Sequence, residues 1–228
     1  MTFSIVGSDP SSQTVGVAIA SVFPSVGAVC PYVGKGVGLS TQAWDSGRTY
    51  GDPILSMVDD NIGLRPACEA ILDSRAGAEG TQLHAVTLDG ETFTYTGERA
   101  TEWAGRQAFG DHTVAGNTLV GPEVLEHMHG AFVESDGPLA EHLLTALSAG
   151  EKAGGDMRGD NLSAALLVRG PESSLRHNIR VDNPGNPIAG LWNGYEAAVE
   201  TESTNPESLA DEWGGSYPDS ITDFEIKY

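Results

Sequence analysis

Small and apolar residues alternate from the first positions of the chain. Phe3 and Ile5 flank Ser4, Val6 and Gly7 follow, and after the turn SDPSSQ the pattern resumes with Val15, Val17 and Ala18 in QTVGVAIAS. This reads as a hairpin. Two further apolar stretches, SVGAVCPYV and GVGLSTQAW, are bounded by Gly, Pro or Asp and are too short for globular helices, so about four strands open the chain. The period then lengthens. GDPILSMVDDNIG and LRPACEAILDSRA carry apolar residues three and four apart, with Pro53 and Pro66 near the expected helix starts, where a missing N–H costs little. TQLHAVTLDGETFTYTGE reads as a second hairpin turning at Asp89-Gly90. A short extended piece, DHTVAGNTLVG, leads to a second helical pair, GPEVLEHMHGAFVES and GPLAEHLLTALSAGEKAGG, with Leu143, Leu144 and Leu147 as its apolar stripe. NLSAALLVRG is a buried strand by its unbroken apolar run, RHNIRVD is its partner, and PIAGLWNGYEAAVE is a last helix.

Strands, two helices, strands, two helices, strands and a helix predict an α+β fold, a four-layer αββα sandwich in which two sheets pack together under outer helices. The length of 228 residues suits one domain, assigned to residues 1–200. From Thr201 to Tyr228 the chain turns polar and acidic, with Trp213, Tyr217, Phe224 and Tyr228 set in a tail that docks on the body, on a neighbouring subunit, or on nothing.

Charge narrows the function classes. With 32 Asp and Glu against 12 Lys and Arg the formal charge is -20, which repels phosphate backbones and anionic lipid and argues against nucleic-acid and membrane partners. The acids are spread along the chain, so solvation in a salt-rich cytosol explains them better than a local cation site, and a halophilic source is expected. Residues Pro10 to Gly34 are uncharged, yet Pro10, Pro24 and Pro31 interrupt them and no basic residue precedes them. Neither a signal peptide nor a membrane span fits, and a cytoplasmic location is expected. Cys30 and Cys68 have no CxxC or Cys/His spacing and read as buried thiols in a reducing compartment. His127 and His129 lie two apart on a predicted helix, point to different faces and are expected to be exposed, so no metal is assigned. VGKGVG is followed by no helix and ends in no Lys-Ser/Thr pair, so it is a tight strand turn and not a phosphate loop. No cofactor is expected. The partners expected are a small-molecule substrate and a second copy of the chain in a twofold homodimer or larger homo-oligomer.

Candidate chemistry starts at Thr2. A penultimate residue this small permits removal of Met1, which would put a free α-amine on the residue that carries a hydroxyl. An α-amine titrates at about 8, so a neutral fraction at working pH can take the hydroxyl proton; nucleophile and base then come from one residue, anchored by an immediate strand. The competing reading is a Met-Thr start with no catalytic meaning. Asn117, in AGNTLVG, has an amide suited to an oxyanion, or else it caps the following helix. Ser21 and Gln42 end strands that neighbour the first and are expected to face the Thr2 site, or to satisfy local backbone. In GGDMRGDN, Asp156 and Arg158 either bind a substrate, Arg holding a carboxylate and Asp an amine, or close the loop as an ion pair.

The strings MTFSIV with Asp9-Pro10, GVAIAS, SVGAV, GVGLSTQA, TGERATEWAG, GNTLVGPEV and AGGDMRGDNLSAALLV, in order from residue 1 to about 190, resemble domain of unknown function 1028. The resemblance implies membership of the N-terminal nucleophile (Ntn) hydrolase-like superfamily, with its αββα sandwich, and hence amide hydrolysis; it supplies no substrate. The superfamily often carries a lysine on an early strand near the nucleophile. SVGAVCPYV has none, and Lys35 lies beyond it in a Gly-rich turn. The reading taken forward is an amidohydrolase that cleaves a small amide or ureido C–N bond through Thr2. The alternative is a non-catalytic binding protein of the same fold that retains Met1.

Overall fold

A computed structural model describes residues 2–100, 102–171, 175–182 and 185–203. The strands are β1 (Thr2–Asp9), β2 (Thr14–Ser21), β3 (Pro31–Gly34), β4 (Val37–Ala43), β5 (Thr81–Thr87), β6 (Thr92–Thr96), β7 (Ala104–Ala108), β8 (His112–Asn117), β9 (Ser163–Arg169) and β10 (Leu175–Val181). The helices are α1 (Arg48–Asp59), α2 (Leu64–Ser74), α3 (Glu123–Glu134), α4 (Leu139–Lys152) and α5 (Pro187–Ser203). The fold is α+β with two antiparallel sheets, one of order β10-β9-β2-β1-β8-β7 and the other of order β3-β4-β5-β6. None of the described helices is long and apolar enough to cross a membrane. Residues 204–228, most of the predicted tail, lie outside the described residues.

The period of two in β1 divides its side chains between two environments. Phe3 and Ile5 enter a core with Leu125, Met128, Leu143 and Leu147 of α3 and α4. Val6 meets Val17 and Val86, and Ser4 bonds to residues of β4 and β5. Thr2 shares the parity of Ser4 and Val6. Leu39, Leu83 and Ala85, of alternate parity on β4 and β5, form a separate core with Tyr50, Ile54, Leu64 and Cys68 of α1 and α2. Close approach is made possible by two glycines opposite each other on β1 and β2, Gly7 and Gly16. A Cβ at Gly7 would meet Phe132 at 3.1 Å, and one at Gly16 would meet Leu143 Cδ1 at 2.7 Å.

Three expectations change. SVGAVCPYV is not one strand: Val26–Ala28 form a single 3-10 turn after Ser25, whose φ is 62°, and only Pro31–Gly34 pair with β4. Val26 and Cys30 are buried by this turn against Ile19 and Ala165, so the apolar run reflects burial without extension. Helix α1 begins at Arg48, so Pro53 lies inside it and not at its start. Strand β7, AGRQA, has no apolar alternation to announce it; it is defined by its register with β8, Ala104 opposite Asn117. Pro66 does sit in the first turn of α2, where the carboxylate of Glu91 accepts from the Leu64 and Arg65 N–H groups at 3.2 and 3.0 Å and satisfies two free helix-end donors. Cys30 and Cys68 are buried free thiols, and burial pushes the Cys30 thiol up to about 12.

Candidate functional site at the head of the first strand

Register alone assembles a row of small polar side chains. Ser163 of β9 pairs with Ser21 of β2, Ser21 with Thr2 of β1, Thr2 with Asn117 of β8, and Asn117 with Ala104 of β7. Thr2 is 5% exposed, and its Oγ donates to Ser21 Oγ at 3.3 Å. Ser21 Oγ accepts the Phe23 N–H at 3.1 Å, and Ser163 Oγ donates to Phe23 O at 2.5 Å, so the turn leaving β2 is tied to the start of β9. Asn117 Nδ2 donates to Gln82 Oε1 at 2.8 Å and lies 3.5 Å from the Thr2 carbonyl. Asn117 is therefore no helix cap: the residue preceding α3 is Pro122. Thr2, Ser21 and Asn117 of the expected set are brought together.

A wholly buried polar chain runs from Asn117 into the space between the sheets, and its hydrogens can be assigned from the backbone carbonyls that end it. Gln82 Nε2 donates to Gly116 O at 2.9 Å and Gly105 O at 3.2 Å, so its Oε1 is the atom that accepts from Asn117 and, at 3.2 Å, from Gln42 Nε2. Gln42 Oε1 then accepts the Ser4 hydroxyl at 2.6 Å. The His84 ring closes the chain, with its Nε2 2.7 Å from Ser4 Oγ and its Nδ1 2.9 Å from Thr113 Oγ. Burial depresses the His84 pKa to about 3, against a bond to the Thr113 backbone that acts to raise it, so the ring is neutral.

Gln42 requires a correction. It was expected to face the site directly, but it is fully buried and reaches Asn117 only through Gln82. Gln82, Ser4, His84 and Thr113 were not anticipated. Their signal was present in TQLHAVT, where Gln82 and His84 interrupt an apolar strand at alternate positions, a parity that places both on one face.

The loop after α4 closes on the same end of the sheet. Gly155 lies against the Phe3 ring, its carbonyl accepts the Val120 N–H at 3.2 Å, and Asp156 bridges Leu119. Met157 N–H donates to Thr118 O at 3.2 Å and Leu162 N–H to Ser21 O at 2.8 Å. Asp156 is 7% exposed, and burial raises its carboxyl above the usual range, with the Glu102 charge acting in the same direction. Its Oδ1 accepts the Arg158 backbone N–H at 2.8 Å, while the Arg158 guanidinium lies 5.4 Å over the Phe23 ring. Backbone with positive φ gathers around this end, at Ser25, Glu102 and Thr118 and at Gly154, Gly155 and Gly159.

The predicted pair of exposed histidines divides. His127 is exposed, but His129 is only partly so: its Nδ1 is 2.9 Å from His112 Nε2 and its ring stacks on Phe109 with centroids 3.7 Å apart. The cluster packs on the α3 face of β8, opposite in parity to Asn117, and takes no part in the Thr2 row.

No curated protein matches the chain. Among solved structures, the crystal structure of protein SPO2555 from Silicibacter pomeroyi, of family-model DUF1028, is similar with a TM-score of 0.81 and 28% identity, covering 98% of this chain and 97% of that one. Thiobacillus denitrificans BPH in complex with epoxomicin overlaps at a TM-score of 0.38 and 10% identity, over 75% of this chain and 98% of that one. The model for the family of unknown function DUF1028 matches residues 2–191, and the chain belongs to that family.

Proposed function

We propose that this protein is an N-terminal nucleophile amidohydrolase that cleaves a small-molecule amide or ureido C–N bond through Thr2. The observation that carries the reading is the row at the head of β1, where Thr2 lies in register between Ser21 and Asn117. The contacts of α1 with β3 and β4, of β1 with β4, and of α4 with β1 and β2 support a four-layer αββα arrangement around it.

In this reading Met1 is removed and the Thr2 α-amine becomes free. The neutral amine takes the proton from Thr2 Oγ as that oxygen bonds to the substrate carbonyl carbon, and the developing oxyanion accepts from Asn117 Nδ2. Gln82 holds that amide by its other hydrogen, and Ser21 aligns the Thr2 hydroxyl. The C–N bond then breaks, with the ammonium of Thr2 returning its proton to the leaving nitrogen. Water hydrolyses the resulting ester with the same amine as base and restores the hydroxyl.

The test combines intact mass with turnover. The native protein is expected to be lighter than the full chain by one methionine residue and to release ammonia from a member of a panel of amides and ureido compounds. Thr2→Ala is expected to lose activity at least about a thousandfold with its melting temperature nearly unchanged. Full retention of Met1, with no release from any member of the panel, favours the non-catalytic binding protein instead.

A further inference from the structure

The loop of residues 153–162 contains two buried acceptors that nothing among the described residues satisfies. Asp156 Oδ2 has no hydrogen-bond partner although its Oδ1 is held by the Arg158 N–H, and Asn161 Oδ1 has none although its Nδ2 donates to Glu151 Oε1 at 3.1 Å. The Glu151 carboxylate can only accept, so the amide of Asn161 cannot be turned the other way, and the unpartnered atom is an oxygen. Asp156 is 7% and Asn161 4% exposed. A buried acceptor without a donor costs about 1–3 kcal/mol, and more when it bears charge. The carboxylate is nonetheless held in place by its other oxygen and by backbone bonds at both flanks of the loop, Met157 to Thr118 and Leu162 to Ser21.

The missing partner is defined by chemistry. Both vacant atoms accept, so the ligand must donate. One of them belongs to a carboxylate, and a carboxylate oxygen is bound more strongly by a cationic donor than by a neutral one. A metal ion would need more ligands than a single carboxylate and an amide oxygen, and no group of three or more His, Cys, Asp or Glu stands together among the described residues. The loop adjoins the Thr2 row through Gly155 on Phe3 and through Leu162 on Ser21, so a ligand reaching these atoms also borders Thr2.

We propose that this loop binds the primary ammonium group of the ligand, with Asp156 Oδ2 as its counter-charge and Asn161 Oδ1 as a further acceptor in the same loop, so that the molecules acted on are amino-substituted amides. The assignment of the ammonium site stands on the loop, and only the identification of the ligand as substrate rests on the hydrolase reading.

Binding of β-alaninamide, which carries an ammonium group, is compared by calorimetry with binding of butanamide, in which a methyl replaces it, on the wild type and on Thr2→Ala. The expected result is a preference for β-alaninamide of about tenfold or more on both proteins, lost in Asp156→Asn. Equal affinities, absence of binding by both probes, or a preference that survives Asp156→Asn overturns the proposal; water alone in the loop gives equal affinities. Should Asp156→Asn fail to fold, the carbon-13 resonance of the Asp156 carboxyl in the wild type decides. Its titration is expected to move to lower pH with β-alaninamide and not with butanamide, and no movement overturns the proposal. Ammonium-dependent binding without ammonia release leaves the site standing and removes the hydrolase reading.

Discussion

His84 connects a single side chain to the behaviour of the protein in acid. Its folded pKa is depressed to about 3 from an ordinary 6.5. Between those values the unfolded chain binds a proton that the native state refuses, so stability is full above about pH 6.5 and falls as pH drops toward 3. This residue alone contributes a slope of up to about 1.4 kcal/mol per pH unit across the window. His84→Leu is expected to lose that slope and, by removing the ring that bonds Thr113 Oγ and one of the bonds of Ser4, to cost about 1–3 kcal/mol at neutral pH; urea titrations at several pH values read both effects. The residue types at the site were legible in the sequence to an uneven degree. Thr2 and Ser21 stood out because they head and end strands of one predictable hairpin, which fixes their register. Gln42 was misjudged because its neighbour in space is Gln82, forty positions away, and no local pattern reveals which strand lies beside which.

At the scale of elements, two glycines give opposite expectations. A Cβ at Gly16 would lie 2.7 Å from Leu143 Cδ1 and 2.9 Å from the Leu167 carbonyl oxygen, and a backbone atom cannot move aside. Gly16→Ala is expected to destabilise by about 1–3 kcal/mol by lifting α4 from β2. Gly130 sits within α3 with nothing inside 4 Å of a Cβ, so Gly130→Ala is expected to stabilise by about 0.5–1 kcal/mol through helix propensity alone. Denaturant midpoints at unchanged m-value check the pair. The element assignments succeeded where one period persisted, as in β1, β2 and the Leu143, Leu144 and Leu147 stripe of α4. They failed at β7, whose order comes from hydrogen bonds to β8, and at residues 26–30, where apolar content reports burial in a turn.

For the whole molecule the dominant quantity is charge. At -20 the native state repels itself more than the expanded chain does, and added salt screens that repulsion. The melting temperature is expected to rise steadily from about 0.05 M to about 1 M sodium chloride, a range over which the Debye length shortens to about 3 Å; scanning calorimetry checks it, and a fall with salt would assign the acidity to another cause.

The sequence by itself determined the alternation of strands and paired helices, the hairpin that starts at Thr2, the acidic surface and the family, because these depend on periodicity, turn residues, composition and long ordered strings within one chain. Tertiary structure alone decided which strands became neighbours. That choice aligned Ser163, Ser21, Thr2 and Asn117 in one row, threaded Gln82, Gln42, Ser4 and His84 into one hydrogen-bond chain, and left one oxygen each of Asp156 and Asn161 without a donor among the described residues. Strand pairing is set by the burial of faces and by backbone hydrogen bonds between distant segments, which local sequence does not encode.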